Sequence, residues 1–216
     1  DFAPKQSLTK PEWIELPLWA TQAAAAPERP AQALSPSDLG GAKVMPGEVD
    51  GSGEDAAKAR GTALHLLLEH LPNAPRTDWP ALSAALIPDT SQRAALLSEA
   101  EAVLTALPHI FTPETLAEVD FTANFNGQPL QGTIDRLLIA PDHILAVDFK
   151  SNHRIPATAA DTPEGILRQM AAYAEALRQI YPDHRIDTAI LWTRTATLMP
   201  LPPDIVRAAM QRATIP

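Results

Sequence analysis

The stretch GTIDRLLIAPDHILAVDFKSN, residues 132–152, carries three charged side chains whose spacing could do chemistry. Asp135 interrupts one apolar, β-branched run; Asp148 and Lys150 close the next, with Pro141-Asp142 as the turn between them. Strands that read as buried do not carry three charges without a reason. If the turn is an even-numbered loop centred on Pro141-Asp142, Asp135 falls opposite Asp148 on the same face, with Cβ atoms about 5 Å apart. Like charges so placed destabilise a sheet unless a cation lies between them, and hard Mg²⁺ prefers carboxylate and water oxygens. Lys150, two residues on, stays on that face and can reach a phosphate or a water. An odd-numbered loop would separate the faces. The plainer alternative is a solvated hairpin with a surface Asp–Lys pair, which contributes little.

Two further pairs have helical spacing. In ARGTALHLLLEHLP, Leu64, Leu67, Leu68 and Leu71 form an apolar stripe, and His65 and Glu69 stand one above the other beside it. Gly61 occupies the turn beneath His65, where a small residue lets a backbone or ligand approach. An imidazole can complete an octahedral site otherwise made of carboxylates, although a lone helical histidine is also a common core-edge residue. In RQMAAYAEAL the stripe is Ile166, Met170, Tyr173 and Leu177, with Gln169 and Tyr173 again four apart. Alone, that pair reads as core packing with a polar neighbour.

The elements that must position these residues follow from punctuation and period. Residues 1–52 are rich in Pro and Ala, show no sustained period, and read as a linker or a strap over the surface. Trp13, Leu18 and Trp19 are unusual for a free linker, so the lead-in is expected to have little regular structure but to anchor an indole on the folded part. A helix is predicted from Gly53-Glu54-Asp55 to Leu71, stopped by Pro72, followed by helices over 78–87 and 89–107. Strands follow at 116–125, 130–139 and 143–150, turning at Asn126-Gly127 and Pro141-Asp142. A helix from Pro163 to Ile180, strands at RIDTAILWT and TLMPLP, and a helix over 203–213 complete the chain. Helices, then a meander, then helix–strand–strand–helix give an α/β sandwich around a mixed sheet.

Composition sets the bounds. The 216 residues are 45% hydrophobic and 20% charged, which suits a globular protein. No apolar run approaches 18 residues, so no membrane span is expected. The opening DFAPKQSLTKPEW lacks the parts of a signal peptide. The absence of cysteine excludes disulfides, thiolate zinc sites and iron–sulfur clusters in this chain and fits a cytoplasmic protein. A net charge of −9 argues against a broad nucleic-acid-binding face, but it is uneven: residues 1–149 carry 9 basic and 20 acidic side chains, residues 150–216 carry 8 and 6. An anionic partner is expected toward the C-terminal third.

Taken in order, GTALHLLLEHLP, GTIDRLL, VDFKSN and RQMAAYAEALRQIYP resemble the nuclease domain of the RecB family, within the PD-(D/E)XK superfamily. The resemblance to AddA-type helicase–nuclease subunits of bacterial double-strand-break repair is closer still. It extends to LSPSDL and AILWTRTATLMPLPP, covering roughly residues 34–203. It implies a restriction-endonuclease-like core, with a mixed central β-sheet flanked by α-helices, over residues 53–216. It also implies that His65, Asp135 and Asp148 bind Mg²⁺, which Mn²⁺ can replace, helped by the main-chain carbonyl of Phe149. Lys150 would be the catalytic lysine, with Asp135 and Asp148 the catalytic acids. Gln169 and Tyr173 match a QxxxY element that supports the site and the DNA strand. Glu69, one turn from His65 on its helix, is a further candidate for substrate binding or site support.

The implied partners are DNA, as single-stranded ends delivered by a helicase, and an AddB-type subunit. No G-x-x-x-x-G-K-[ST] phosphate loop occurs, so the chain reads as the nuclease part excised from a larger subunit. The alternative is a catalytically silent, nuclease-like module that guides a strand or docks a partner.

Overall fold

The computed structural model describes residue 17, residues 33–46 and residues 53–213. The expectations for Trp13 and Trp19 lie outside the described residues.

Alternation builds the sheet. β1 (Leu116–Phe125), β2 (Gln128–Ile139), β3 (His143–Lys150), β4 (Arg185–Trp192) and β5 (Thr197–Leu201) lie side by side in that order. Only β3 and β4 run parallel, so the sheet is mixed as expected. The first turn is tighter than the predicted strand start at 130 implies. Asn126 and Gly127 both take positive φ (52° and 83°), the geometry of a two-residue hairpin, and β2 therefore begins at Gln128.

Period-2 alternation sends Ile144 and Ala146 to one face and Val147 and Phe149 to the other. The first face is covered by α4 (Glu164–Ile180) and α5 (Pro203–Gln211), and Ile166, Met170, Tyr173 and Leu177 are all buried there. The second is covered by α1 (Glu54–His70), α2 (Trp79–Leu86) and α3 (Thr90–Ala106). The leucine stripe of α1 is wholly enclosed, Leu64, Leu67, Leu68 and Leu71 each being 0% exposed. At about 1.5–3 kcal/mol for each buried leucine, this stripe is the main force holding α1 to the sheet.

The lead-in residues 33–46 are pinned to the same unit. β3 pairs only with residues 136–139 of β2, which leaves the N-terminal half of β2 with a free edge. Leu34 fills it, donating to the Pro129 carbonyl and accepting from Gln131 N–H. The strap continues through buried Leu39 and crosses the start of α4 where Gly165 N–H donates to the Ala42 carbonyl. Its carbonyls at Lys43 and Pro46 then accept from Asn152 and Arg154, just past Lys150. Among the described residues no helix is long and apolar enough to cross a membrane.

Candidate metal and nuclease centre

The β2–β3 ladder stops one residue short of the two aspartates. Its register runs from Ile139↔Ile144 to Arg136↔Val147, the register of an even-numbered turn, closed by Ala140 N–H on the His143 carbonyl. The next position belongs to Asp135 and Asp148, where the strands part. The Phe149 N–H donates instead to Asp135 Oδ2. The carboxylate thus replaces a backbone partner, and both aspartates are buried, Asp135 at 7% and Asp148 at 1% exposure.

Two clusters meet at this notch. In the first, His65 comes down from α1 with Nδ1 3.4 Å from Asp135 Oδ1 and Nε2 3.2 Å from the Phe149 carbonyl. Only the imidazolium can donate from both nitrogens. Burial works against that charge, but the hydrogen bond and negative charge of Asp135, with Asp148 behind it, outweigh burial and raise His65 to about 9. Glu118 of β1 joins from the other side, and ligand atoms of His65, Glu118 and Asp135 all lie within 4.8 Å of one another. Burial, then Asp135, pushes the Glu118 carboxyl upward.

In the second cluster Asp148 faces α4. Its Oδ1 accepts from Gln169 Nε2 at 2.9 Å, and Oδ2 lies 2.6 Å from Lys150 Nζ. Lys150 thus holds the buried Oδ2 in a close ion pair. Lys150 Nζ donates to Gln169 Oε1 at 3.1 Å. The amide can point only one way, its oxygen to the ammonium and its nitrogen to the carboxylate. Tyr173 accepts from Gln169 Nε2 and donates to the Thr133 carbonyl, both at 2.8 Å, tying the pair to β2. Burial raises Asp148 against the pull of Lys150. For Lys150 burial is outweighed by Asp148 and Asp135, so its charge is retained. Burial and the two aspartates push the Tyr173 phenol well up, and it stays protonated.

Of the expected site residues, the structure brings together His65, Asp135 and the Phe149 carbonyl, and beside them Asp148, Lys150, Gln169 and Tyr173. Glu69 stands apart from the triad. Its carboxylate lies 3.8 Å from His70 and shares with Gly61, His65 and Glu118 the wall of a cleft of about 380 Å³. Arg136, next in sequence to Asp135, is buried with a guanidinium nitrogen on the carbonyl of Leu68. Glu118 was not anticipated, yet the first turn encodes it. A two-residue loop at Asn126-Gly127 sets Phe125 against Gln128, and in the same register the pairs Ala117↔Arg136 and Val119↔Ile134 bracket Glu118 and Asp135.

The donor set is chemically suited to a hard divalent cation: carboxylate oxygens, a carbonyl and one imidazole.

Among solved structures the chain is similar to a candidate exonuclease from Eubacterium rectale, at 14% identity and TM-score 0.47, over 73% of this chain and 63% of that one. It is also similar to the protein SSO0001, at 11% identity and TM-score 0.32, over 74% and 84%. The chain thus spans just under two thirds of the length of the first. No curated protein matches. The family model of the PD-(D/E)XK nuclease superfamily matches residues 40–201, three quarters of the chain, from the strap beside α4 to the end of β5 and across every residue of both clusters. The chain belongs to the PD-(D/E)XK nuclease superfamily.

Proposed function

We propose that this chain is the nuclease part of a RecB-like, AddA-type helicase–nuclease subunit, hydrolysing DNA phosphodiesters at double-strand breaks in the bacterial cytoplasm. The observation that carries the reading is the pairing of two clusters at one notch: a hard-donor set at His65 and Asp135, and a buried ammonium at Lys150 held on Asp148 and Gln169. In this reading residues 53–216 are the nuclease domain and residues 1–52 its lead-in. His65, Asp135, Asp148 and the Phe149 carbonyl hold Mg²⁺, with Mn²⁺ as substitute, and Glu118 is placed to join them.

When bound, the cation supplies Lewis-acid charge to the scissile phosphate. Lys150 Nζ presents an ammonium to the phosphate oxygens, where charge grows as the phosphorus–oxygen bond to the leaving group lengthens. Gln169 and Tyr173 fix Asp148 and Lys150 so that neither must reorganise during the reaction. Asp148 Oδ2 is paired with the Lys150 ammonium, and a cation held by Asp148 would share that carboxylate with it. Glu69 lines the cleft beside the centre, where it supports His65 or meets the strand. A helicase motor and an AddB-type partner would deliver single-stranded ends, since the acidic N-terminal two thirds of the chain supply little grip on DNA.

The test sets linear against circular single-stranded DNA in Mg²⁺. End-directed processing predicts that the linear strand is degraded and the circle survives, with EDTA stopping the degradation. Equal cutting of the circle would replace the exonuclease reading with an endonuclease one.

A further inference from the structure

Resting on the metal-site reading above, we propose that Arg136 is a positioning residue that holds the His65 helix against the Asp135 strand and so sets the site's affinity for a divalent cation. Arg136 is 3% exposed and forms no ion pair among the described residues, an expensive way to bury a cation. A methionine or leucine would fill the space without that cost. What arginine adds is a donor fork and a flat cationic face.

Both are in use. The carbonyl of Leu68, in the last turn of α1, would ordinarily accept from the residue four ahead; that residue is Pro72, which has no N–H. An Arg136 guanidinium nitrogen supplies the missing donor at 2.9 Å, three residues from His65. A cation at a helix C-terminus also meets the negative end of the helix dipole. The guanidinium lies 4.9 Å from the centroid of Phe111. Phe111 packs against Phe149 at a tilt of 37° with centroids 5.8 Å apart, and Phe149 and His65 meet in a T-shaped pair at 5.5 Å. Arg136 therefore reaches His65 by two routes, through the α1 backbone and through the aromatic row. The second route ends on the residue whose carbonyl faces the His65 ring.

Calorimetric titration of the whole chain with Mn²⁺ tests this, with Arg136→Lys and Arg136→Met beside the wild type and cleavage measured over the same Mn²⁺ range. Residues that orient ligands without touching the ion typically contribute about 10- to 100-fold in affinity. Arg136→Met should lose that much. Arg136→Lys, keeping charge and a donor but not the planar face, should fall between. Raising Mn²⁺ should restore the cleavage rate of both, because Lys150 is untouched. Folded variants with wild-type Mn²⁺ affinity and merely lower melting temperature would overturn the inference. So would failure of Arg136→Lys to fold, which would make the arginine a folding requirement. A wild-type chain that binds no Mn²⁺ would overturn the metal-site reading and this inference with it.

Discussion

Crowding of charge is the governing fact at the scale of single residues. Glu118, Asp135 and Asp148 lie on three adjacent strands, and the molecule sets His65 beside Asp135 and Lys150 beside Asp148. In the proposed metal site, the proton on His65 would compete with the cation for a ring nitrogen. With His65 raised to about 9 by Asp135 and Asp148 against burial and Lys150, the free protein carries that proton throughout the neutral range. Binding a cation through His65 would release it, so apparent affinity should climb by up to about tenfold per pH unit as pH rises toward 9, and level off above. Protonation of Asp148, also raised, adds to the loss at the acid end. Mn²⁺ titrations at pH 6, 7 and 8 check this; an affinity that does not move with pH would remove His65 from the ligand set.

At the scale of elements, the site depends on a strap that crosses a helix at two glycines. A Cβ on Gly165 would meet the carbonyl oxygens of Gly41 and Ala42 at 2.6 and 2.8 Å, both rigid backbone. Helix propensity alone favours alanine over glycine by about 1 kcal/mol, so two effects of opposite sign compete at this position. The clash is with backbone that has nowhere to move, and overpacking of that kind costs about 1–3 kcal/mol. Gly165→Ala should therefore lower the unfolding free energy measured in urea. An unchanged or raised stability would show that the strap yields, and that propensity governs.

Across the whole molecule, what could be read from sequence followed the strength of local signals. The leucine stripe of α1, the Pro-Asp and Asn-Gly turns and the α4 stripe each bind period to punctuation, and the elements stand within about two residues of expectation. Asp135, Asp148 and Lys150 were visible because charge in a buried strand is costly. Glu118 escaped notice because β1 alternates weakly, and its role depends on a turn register and a positive φ of 48° that no local pattern announces. The Leu34 bridge and the Arg136 tie were hidden for a similar reason. Each exists only because another element leaves a backbone group unpaired, at the edge of β2 and at Pro72.

In the proposed reading the notch between β2 and β3 is a hydrolytic centre in which ligands and electrophile are separate side chains. Cleavage of a labelled single strand in Mg²⁺, measured together with Mn²⁺ binding for the wild type, Lys150→Ala and Asp148→Ala, tests it most directly. The account predicts that Lys150→Ala cuts about 10²- to 10³-fold more slowly yet still binds the ion, since an ammonium cannot be a ligand, while Asp148→Ala loses binding and cleavage together. Cleavage by Lys150→Ala at the wild-type rate, or no metal-dependent cleavage by the wild type, would contradict it.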